Sequence, residues 1–229
     1  MSYIKRIVCL ACSLKHGGLC IAGREVAPGR FGGWVRPISA RPGSELSYLE
    51  YRYEDSSSPR VLDVIDVPLL GPSRHGHQTE NVLIDGSRRW VRRGRAGFRR
   101  LLELKEEPEA LWANSGSAGT GRFNFLTPAE AAGFDWSLCL IQVSKAEIEV
   151  GRGVRGSRAF KMSFEYRDVV YKLSLTDPAI RDEFEPRGFG KYPFQDRGDI
   201  FLCVSLSEKF KTDGRCHKLI AAVMTPPAI

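Results

Sequence analysis

The distribution of apolar residues predicts a chain built mainly of short β-strands. Runs of four to eight residues, rich in β-branched side chains, are separated by glycine and proline, which is typical of a small antiparallel β domain. In the first part of the chain these runs cover residues 3–12, 19–22, 34–38 and 61–67, with a shorter candidate at 82–84. Extended runs return later, over residues 137–150, 160–175, 200–206 and 219–224.

The stretch between the two sets of strands has helical features. Residues 96–104 place apolar side chains roughly on one helical face, and residues 108–113 predict a second short helix with Pro108 in its first turn. Thr127 and Glu130 form the pattern of an N-terminal cap, and residues 177–184 predict a later capped helix. We therefore expect a β unit over 1–95, a helical connector over 96–135 and a second β unit over 136–229.

Composition places the chain among ordinary globular proteins, with 42% hydrophobic and 27% charged residues. No run reaches the roughly 18 apolar residues that a membrane span needs. The first residues lack the charged start, apolar stretch and cleavage site of a signal peptide. Six scattered cysteines do not indicate a disulfide framework. We expect a cytoplasmic protein without a membrane partner.

The net charge of +7 is concentrated in the first part of the chain. Residues 1–101 contain 17 Lys and Arg against 9 Asp and Glu, whereas residues 102–229 contain 17 against 18. Of the 17 basic residues in the first part, 15 are arginine, which binds phosphate through two parallel hydrogen bonds and stacks on bases. This asymmetry indicates a surface for a polyanion, most often nucleic acid; solubility alone is the simpler explanation.

The densest basic segment lies between residues 85 and 100. It contains Arg88, Arg89, Arg92, Arg93, Arg95, Arg99 and Arg100, with no acidic residue among them and with Trp90 and Phe98 interleaved. Guanidinium groups for phosphates and rings for unpaired bases are what a single strand requires. The alternative is a solvated loop in which Trp90 fills the core.

A second basic stretch contains Arg152, Arg155, Arg158 and Lys161. Residues 151–156 match the glycine pattern of a dinucleotide-binding turn, but that site needs a helix next, and the sequence that follows predicts a strand. We therefore expect a glycine-rich hairpin loop that touches phosphate.

Further contacts are predicted near the second and third strands. Alternation puts Trp34 and Arg36 on one strand face, which we expect to be an exposed stacking surface, although a core position for Trp34 is almost as well supported. Lys15 lies in the turn before the second strand. The polar string His77, Gln78 and Asn81 suits hydrogen bonds either to base edges or within its own loop.

Neither a metal site nor a catalytic site is predicted. Cys9 and Cys12 are three residues apart in an apparent strand, so we expect them to face opposite sides and not to share a zinc ion. His75, His77 and Glu80 are the most enzyme-like group, but they lack the spacing of a helical metal motif. No cofactor is expected.

Four segments resemble the bacterial dual OB-containing domain family. They are Cys9-Leu-Ala-x-Ser-x-Lys-His-Gly-Gly-x-Cys-Ile-Ala-Gly23, Gly33-Trp-Val-Arg-Pro-Ile-Ser39, His77-Gln-Thr-Glu-Asn-Val-Leu-Ile-Asp85 and Cys216-His-Lys-Leu-Ile-Ala-Ala-Val223. The resemblance implies two OB-like barrels in tandem, which agrees with the strand–helix–strand order predicted above. We therefore expect a mostly β protein of two small OB-like Greek-key barrels in tandem, joined by a short helical connection. OB barrels bind single strands or oligosaccharides on one sheet face and its bordering loops.

The function expected from these features is a cytoplasmic module that binds single-stranded DNA or RNA. One alternative is an enzyme acting on nucleic acid or nucleotides through His75, His77 and Glu80. Another is an adaptor whose basic stretch binds an acidic protein. The residues expected to contact nucleic acid are Lys15, Trp34, Arg36, His77, Gln78, Asn81, Arg88, Arg89, Trp90, Arg92, Arg93, Arg95, Arg152 and Arg155.

Overall fold

The computed structural model describes residues 1–153, 156–194 and 197–227. The chain divides into two compact units, which we call unit 1 (Met1–Leu104) and unit 2 (Lys105–Ile229). Each unit has a hydrophobic core of its own. The boundary between them lies inside the stretch predicted as a helical connector.

Unit 1 consists of six strands and short helical turns. The elements are β1 (Tyr3–Lys15), β2 (Gly18–Ala27), β3 (Arg30–Ile38), α1 (Tyr48–Tyr51), β4 (Asp63–Pro72), β5 (Asn81–Ile84), β6 (Val91–Arg95), a 3-10 turn (Phe98–Arg100) and α2 (Leu101–Leu104). Several strands are longer than predicted, because β1 and β2 continue through residues that the sequence pattern assigned to turns.

The strands of unit 1 form a closed barrel. Their order is β1-β2-β3-β5-β4, and β4 pairs with β1 to complete the circle. The β3–β5 pairing is parallel and the other pairings are antiparallel. β6 continues along the edge of β4 beyond β5, with Val91 opposite Asp66. This order, with α1 between β3 and β4, is that of a five-stranded Greek-key barrel.

The core of unit 1 is filled by alternate residues of these strands, including Ile7, Ile21, Val35, Ile65 and Val67. Alternation is interrupted in β1, where the pairing with β2 shifts register between Cys9 and Ala11. A bulge of this kind reverses the faces of the residues that follow it. Cys9 and Cys12 therefore both lie in the same core, and the prediction that they face opposite sides is wrong.

In its described residues, unit 2 contains seven strands and two short α-helices. The elements are β7 (Phe125–Leu126), α3 (Pro128–Ala131), β8 (Leu138–Arg152), β9 (Arg158–Tyr166), β10 (Val169–Leu175), α4 (Pro178–Phe184), β11 (Gly190–Pro193), β12 (Ile200–Lys209) and β13 (Cys216–Met224).

The strands of unit 2 repeat the arrangement of unit 1. Their order around the barrel is β8-β9-β10-β13-β12, closed by the β8–β12 pairing, and β10 runs parallel to β13. The helix α4 again lies between the third and fourth barrel strands. The predicted mostly β fold with two small OB-like barrels in tandem is confirmed.

The predicted helices have different outcomes. Thr127 caps α3 by accepting a hydrogen bond from the Glu130 amide at 3.3 Å. Asp177 caps α4, as the sequence predicted. Residues 108–113 form no helix, so that prediction is wrong. Leu111 and Trp112 are buried in the core of unit 2, and Trp112 has a φ of 58°, which a right-handed helix does not permit.

No helix in the described part of the chain is both long enough and apolar enough to cross a bilayer.

Candidate nucleic-acid interface

The arginine segment, defined here as residues 88–95, starts at a tight turn and continues as β6. The Asp85 carboxylate accepts hydrogen bonds from the Ser87 amide at 3.1 Å and the Ser87 hydroxyl at 2.6 Å. The chain then pairs with β4 from Val91 onward. Because these contacts fix the backbone on one side, the long side chains extend into solvent. The arginines Arg88, Arg89, Arg92, Arg93 and Arg95 are all exposed.

The contacts of these five arginines leave most of their charge uncompensated. Arg89 donates from Nη1 to the Leu49 carbonyl at 2.6 Å, and the Arg92 guanidinium lies 5.9 Å from the centre of the Tyr53 ring. Arg93 donates from Nε to Asp66 Oδ2 at 2.6 Å. Within the described residues, Arg93 is the one member of the five that forms a salt bridge.

Asp66 is shared by two arginines on neighbouring strands. Arg6 of β1 donates from Nε to Oδ1 at 2.6 Å and from Nη2 to Oδ2 at 3.0 Å, while Arg93 approaches from β6. The Asp66 side chain is 7% exposed, whereas those of Arg6 and Arg93 are 47% and 49% exposed. Hydrogen bonding from Arg6, with a smaller contribution from Arg93, lowers the pKa of Asp66 below its usual value. The trio carries one net positive charge near the surface.

Sequence reasoning did not identify Arg6 as part of this group. Arg6 and Asp66 are 60 residues apart but directly opposite each other in the β1–β4 pairing. The signal that could have found the pair is the register of two strands, which the sequence does not show.

Trp90 does not form a stacking surface. It is 0% exposed and lies in the core of unit 1, where it forms a bridge to Tyr53. The prediction that its ring stacks on bases is therefore wrong, and the alternative of a core-filling tryptophan is correct. Its indole Nε1 has no hydrogen-bond partner among the described residues, so its burial depends on apolar packing.

Arg36 is not the exposed contact residue that the sequence predicted, because it is buried and bound by side chains of its own unit. It is 6% exposed, and its Nη1 lies 3.0 Å from Glu80 Oε1 and 3.3 Å from Asn81 Oδ1. Asn81 is buried as well and donates from Nδ2 to Gln78 Oε1 at 3.2 Å. The parallel β3–β5 pairing places Arg36 and Asn81 side by side. These polar groups tie the two strands together and do not present a contact surface.

His77 is buried too, in the turn between β4 and β5. That turn closes with backbone hydrogen bonds between residues 75 and 78. The predicted contact from His77 to nucleic acid is therefore wrong, and the alternative that this polar string secures its own loop is supported.

Three predicted contact residues remain partly accessible: Lys15, Trp34 and Gln78. Trp34 lies opposite Arg24 in the β2–β3 pairing, with the guanidinium 5.8 Å from the ring centre. Arg24 is held in turn by a 2.7 Å hydrogen bond from Nε to the Gly32 carbonyl. An aromatic ring next to a fixed cation on the outer surface of β2 and β3 is compatible with base stacking.

The residues of the alternative catalytic site are not brought into a working arrangement. His75 is exposed, His77 is buried and Glu80 is occupied by Arg36. Among the residues with described positions, no group of three His, Cys, Asp or Glu side chains could hold a metal ion.

The described residues of the second basic stretch lie on β8 and β9, toward the end of the hairpin that these two strands form. The antiparallel pairing of β8 with β9 confirms a hairpin in place of the strand–helix unit of a dinucleotide site. Arg152 is exposed, and Lys161 donates to Thr120 Oγ1 at 2.7 Å. Arg155, predicted as a contact, lies outside the described residues.

The two units differ sharply in charge. Unit 1 contains 17 Lys and Arg against 10 Asp and Glu, whereas unit 2 contains 17 against 17. The outer face of the unit 2 barrel pairs its charges, as in the contacts of Lys172 with Glu149 and of Lys145 with Glu165. The excess positive charge of the protein therefore belongs to the unit that contains the arginine segment.

The sequence matches a known protein family. The model of a family described as the dual OB-containing domain matches residues 5–223, nearly the whole chain. No curated protein and no solved structure matches the sequence. The coverage of this match, together with the two barrels of identical strand order, shows that the chain belongs to the dual OB-containing domain family.

Proposed function

We propose that this protein is a bacterial, cytoplasmic binding module for single-stranded DNA or RNA and that the arginine segment of unit 1 contacts the phosphates. The observation that carries the proposal is the exposure of five arginines on one short segment, with a single salt bridge among them in the described chain. Such a density of like charge is unfavourable for folding unless an anion compensates it. OB barrels supply a surface of suitable shape for a single strand.

The corrected set of contact residues differs from the sequence-based one. Arg6 joins the phosphate-binding arginines because Asp66 holds it beside Arg93 with about half of its side chain exposed. Trp34 takes the stacking role in unit 1 because Trp90 is buried. Lys15, at the end of β1, and Gln78, in the turn between β4 and β5, extend the contacts.

The cysteines fit the proposed compartment. No disulfide links the six cysteines, all of which lie in the described part of the chain, and five of them are buried. Cysteines that form no disulfide suit a reducing environment such as the cytoplasm.

The decisive experiment is a salt titration of fluorescence anisotropy with a labelled 20-nucleotide DNA and its RNA equivalent. Each phosphate contact on a single strand contributes roughly −0.7 to the slope of log K against log salt, so the five arginines of the arginine segment alone contribute about −3.5. Replacing Arg88 and Arg95 together with alanine should reduce the magnitude of that slope by about 1.4. Both side chains are exposed, so the variant should fold normally.

The matched control removes the same charge from unit 2, by replacing the exposed Lys209 and Lys211 with alanine. This variant should leave the slope nearly unchanged. Absence of binding by the unaltered protein, or a slope independent of salt, would disprove the proposed function. If the Lys209 and Lys211 variant reduces the magnitude of the slope more than the Arg88 and Arg95 variant does, the main phosphate contacts lie in unit 2.

A further inference from the structure

Phe189 is an exposed aromatic residue in unit 2 that the sequence patterns did not single out. It lies immediately before β11, which pairs with β8 through Gly190 and Val150. The residue is 54% exposed, whereas the nearby Phe184 and Phe194 are buried in the core.

The backbone around Phe189 is fixed from both sides. The Tyr192 hydroxyl donates to the Gly188 carbonyl at 2.8 Å, and Gly190 is held in the strand pairing with β8. A ring on an anchored backbone loses little conformational freedom when a ligand binds to it. Phe189 is therefore held in place for contact with a ligand and does not contribute to the core.

Two arginines from the end of the β8–β9 hairpin extend over the Phe189 ring. Arg152 and Arg158 are directly opposite each other in the strand pairing, and their guanidinium carbons lie 5.6 and 5.1 Å from the centre of the Phe189 ring. Arg158 is further held by the Arg187 carbonyl, and its Nε lies 3.7 Å from Glu185. Arg152 is exposed.

We infer that Phe189 is a base-stacking site on the second barrel, with Arg152 and Arg158 placed to bind the phosphates on either side of the stacked nucleotide. An exposed ring offers its face to any base, and the adjacent cations neutralise the backbone, so the site takes unpaired nucleotides without selecting their sequence. This inference rests on the proposed function and adds a second contact point to it. The local cations allow unit 2 to contribute even though its total charge is balanced.

The test measures the affinity of the full-length chain for a fluorescein-labelled 20-mer of thymidine and for inorganic polyphosphate as a competitor. Polyphosphate carries phosphates but no bases. Phe189→Ala and Phe189→Leu should both weaken oligonucleotide binding about 5- to 150-fold, the range expected for one stacked base. Neither variant should change the affinity for polyphosphate. This affinity is obtained from the competition curve after correction for the affinity of each variant for the oligonucleotide.

Two further variants make the result specific. Phe189→Trp should retain or tighten binding because it keeps an aromatic face, whereas Phe189→Leu keeps apolar volume without one. Val170→Ala removes an exposed apolar side chain from β10 of the same barrel and should leave affinity unchanged. A circular dichroism melt confirms that each variant is folded.

The possible failures can be told apart. If the unaltered protein binds neither the oligonucleotide nor polyphosphate, the proposed function fails and this inference with it. If the unaltered protein binds the oligonucleotide and Phe189→Ala and Phe189→Leu bind it equally well, the stacking site alone is disproved. If Phe189→Leu matches the unaltered protein while Phe189→Ala does not, the contact is apolar packing and not stacking, which also disproves the inference.

Discussion

Trp90 is located between exposed arginines yet contributes to the barrel core. Its neighbours on both sides, Arg89 and Val91, are at least partly accessible, so the local sequence gives no sign that this one side chain turns inward. The reason is the backbone pairing: a parallel β-bridge to Tyr53 sets the orientation of Trp90, which immediately precedes β6. Burial of Trp90 thus anchors the arginine segment to the barrel.

Replacing Trp90 should affect stability and not affinity. Trp90→Ala should lower the free energy of unfolding by about 3–5 kcal/mol, as expected for an emptied aromatic site. Trp90→Phe should be milder, because it keeps a ring and removes an indole N–H that has no partner in the described structure. Urea unfolding followed by circular dichroism measures both changes.

Oligonucleotide affinity provides the control for this assignment. Trp90→Phe should bind the labelled 20-mer as tightly as the unaltered protein. If Trp90→Phe is stable but binds the 20-mer more weakly, Trp90 contacts the oligonucleotide and its role is not confined to the core.

Asp66 should make stability depend on pH in a predictable direction. Its pKa is lowered by hydrogen bonds from Arg6 and Arg93, so the folded state favours the carboxylate. That stabilisation is complete above the unfolded pKa of about 3.9 and is lost as the pH falls through the folded value. The difference in unfolding free energy between the unaltered protein and Asp66→Asn should be constant from pH 5 to 7 and shrink below about pH 4.

The matched variant for this measurement is Glu54→Gln, which alters an exposed carboxylate of the same unit. Its unfolding free energy should stay within about 0.5 kcal/mol of the unaltered value. A difference for Asp66→Asn that is independent of pH would show that the carboxylate charge contributes nothing to the fold.

At the scale of elements, the bulge in β1 and the glycine opposite it act together. Gly23 lies in β2 across from Cys9, and a Cβ added there would lie 2.1 Å from the Val8 carbonyl oxygen. The sequence pattern places Gly23 at the end of a strand, but β2 continues through it to Ala27. The glycine is needed for close approach of two backbones and does not end the strand.

Gly23→Ala should therefore lower the free energy of unfolding of unit 1 by about 1–3 kcal/mol, the range typical of overpacking. The opposing atom belongs to the backbone and cannot rotate away. Gly33→Ala is the control, since a Cβ at Gly33 meets nothing within 4 Å. Thermal melts of the two variants measure the effect. Equal melting temperatures for the two variants would show that β1 and β2 accommodate a Cβ at position 23 without loss of stability.

Features set by nearby residues could be predicted from the sequence. The caps at Thr127 and Asp177 depend on residues two or three positions away, and both were predicted correctly. The helix expected over residues 108–113 does not form, because burial of Leu111 and Trp112 outweighs local preference. The salt bridges of Arg36 with Glu80 and of Arg6 with Asp66 join segments that are distant in the sequence. They depend on strand register, which local sequence patterns do not encode.

At the scale of the whole molecule, strand order is shared by the two units and charge is not. Both barrels have the third and fifth strands parallel and the fourth paired with the first. Counting charges along the sequence was enough to predict that the positive excess lies in the first part. Knowing which arginines are exposed required the structure, because Arg36 and Arg88 look equally available in a one-dimensional pattern and differ in burial.

The position of β6 has a consequence for self-association. β6 ends the sheet order of unit 1 and, within the described residues, pairs only with β4, so its outer edge offers unpaired backbone groups. Edges of this kind invite a strand from a second molecule unless charge repels it. Arg92, Arg93 and Arg95 supply that repulsion, which salt or a bound polyanion weakens. The arginines proposed to bind phosphate should therefore also oppose edge-to-edge pairing of two copies of the chain when no polyanion is bound.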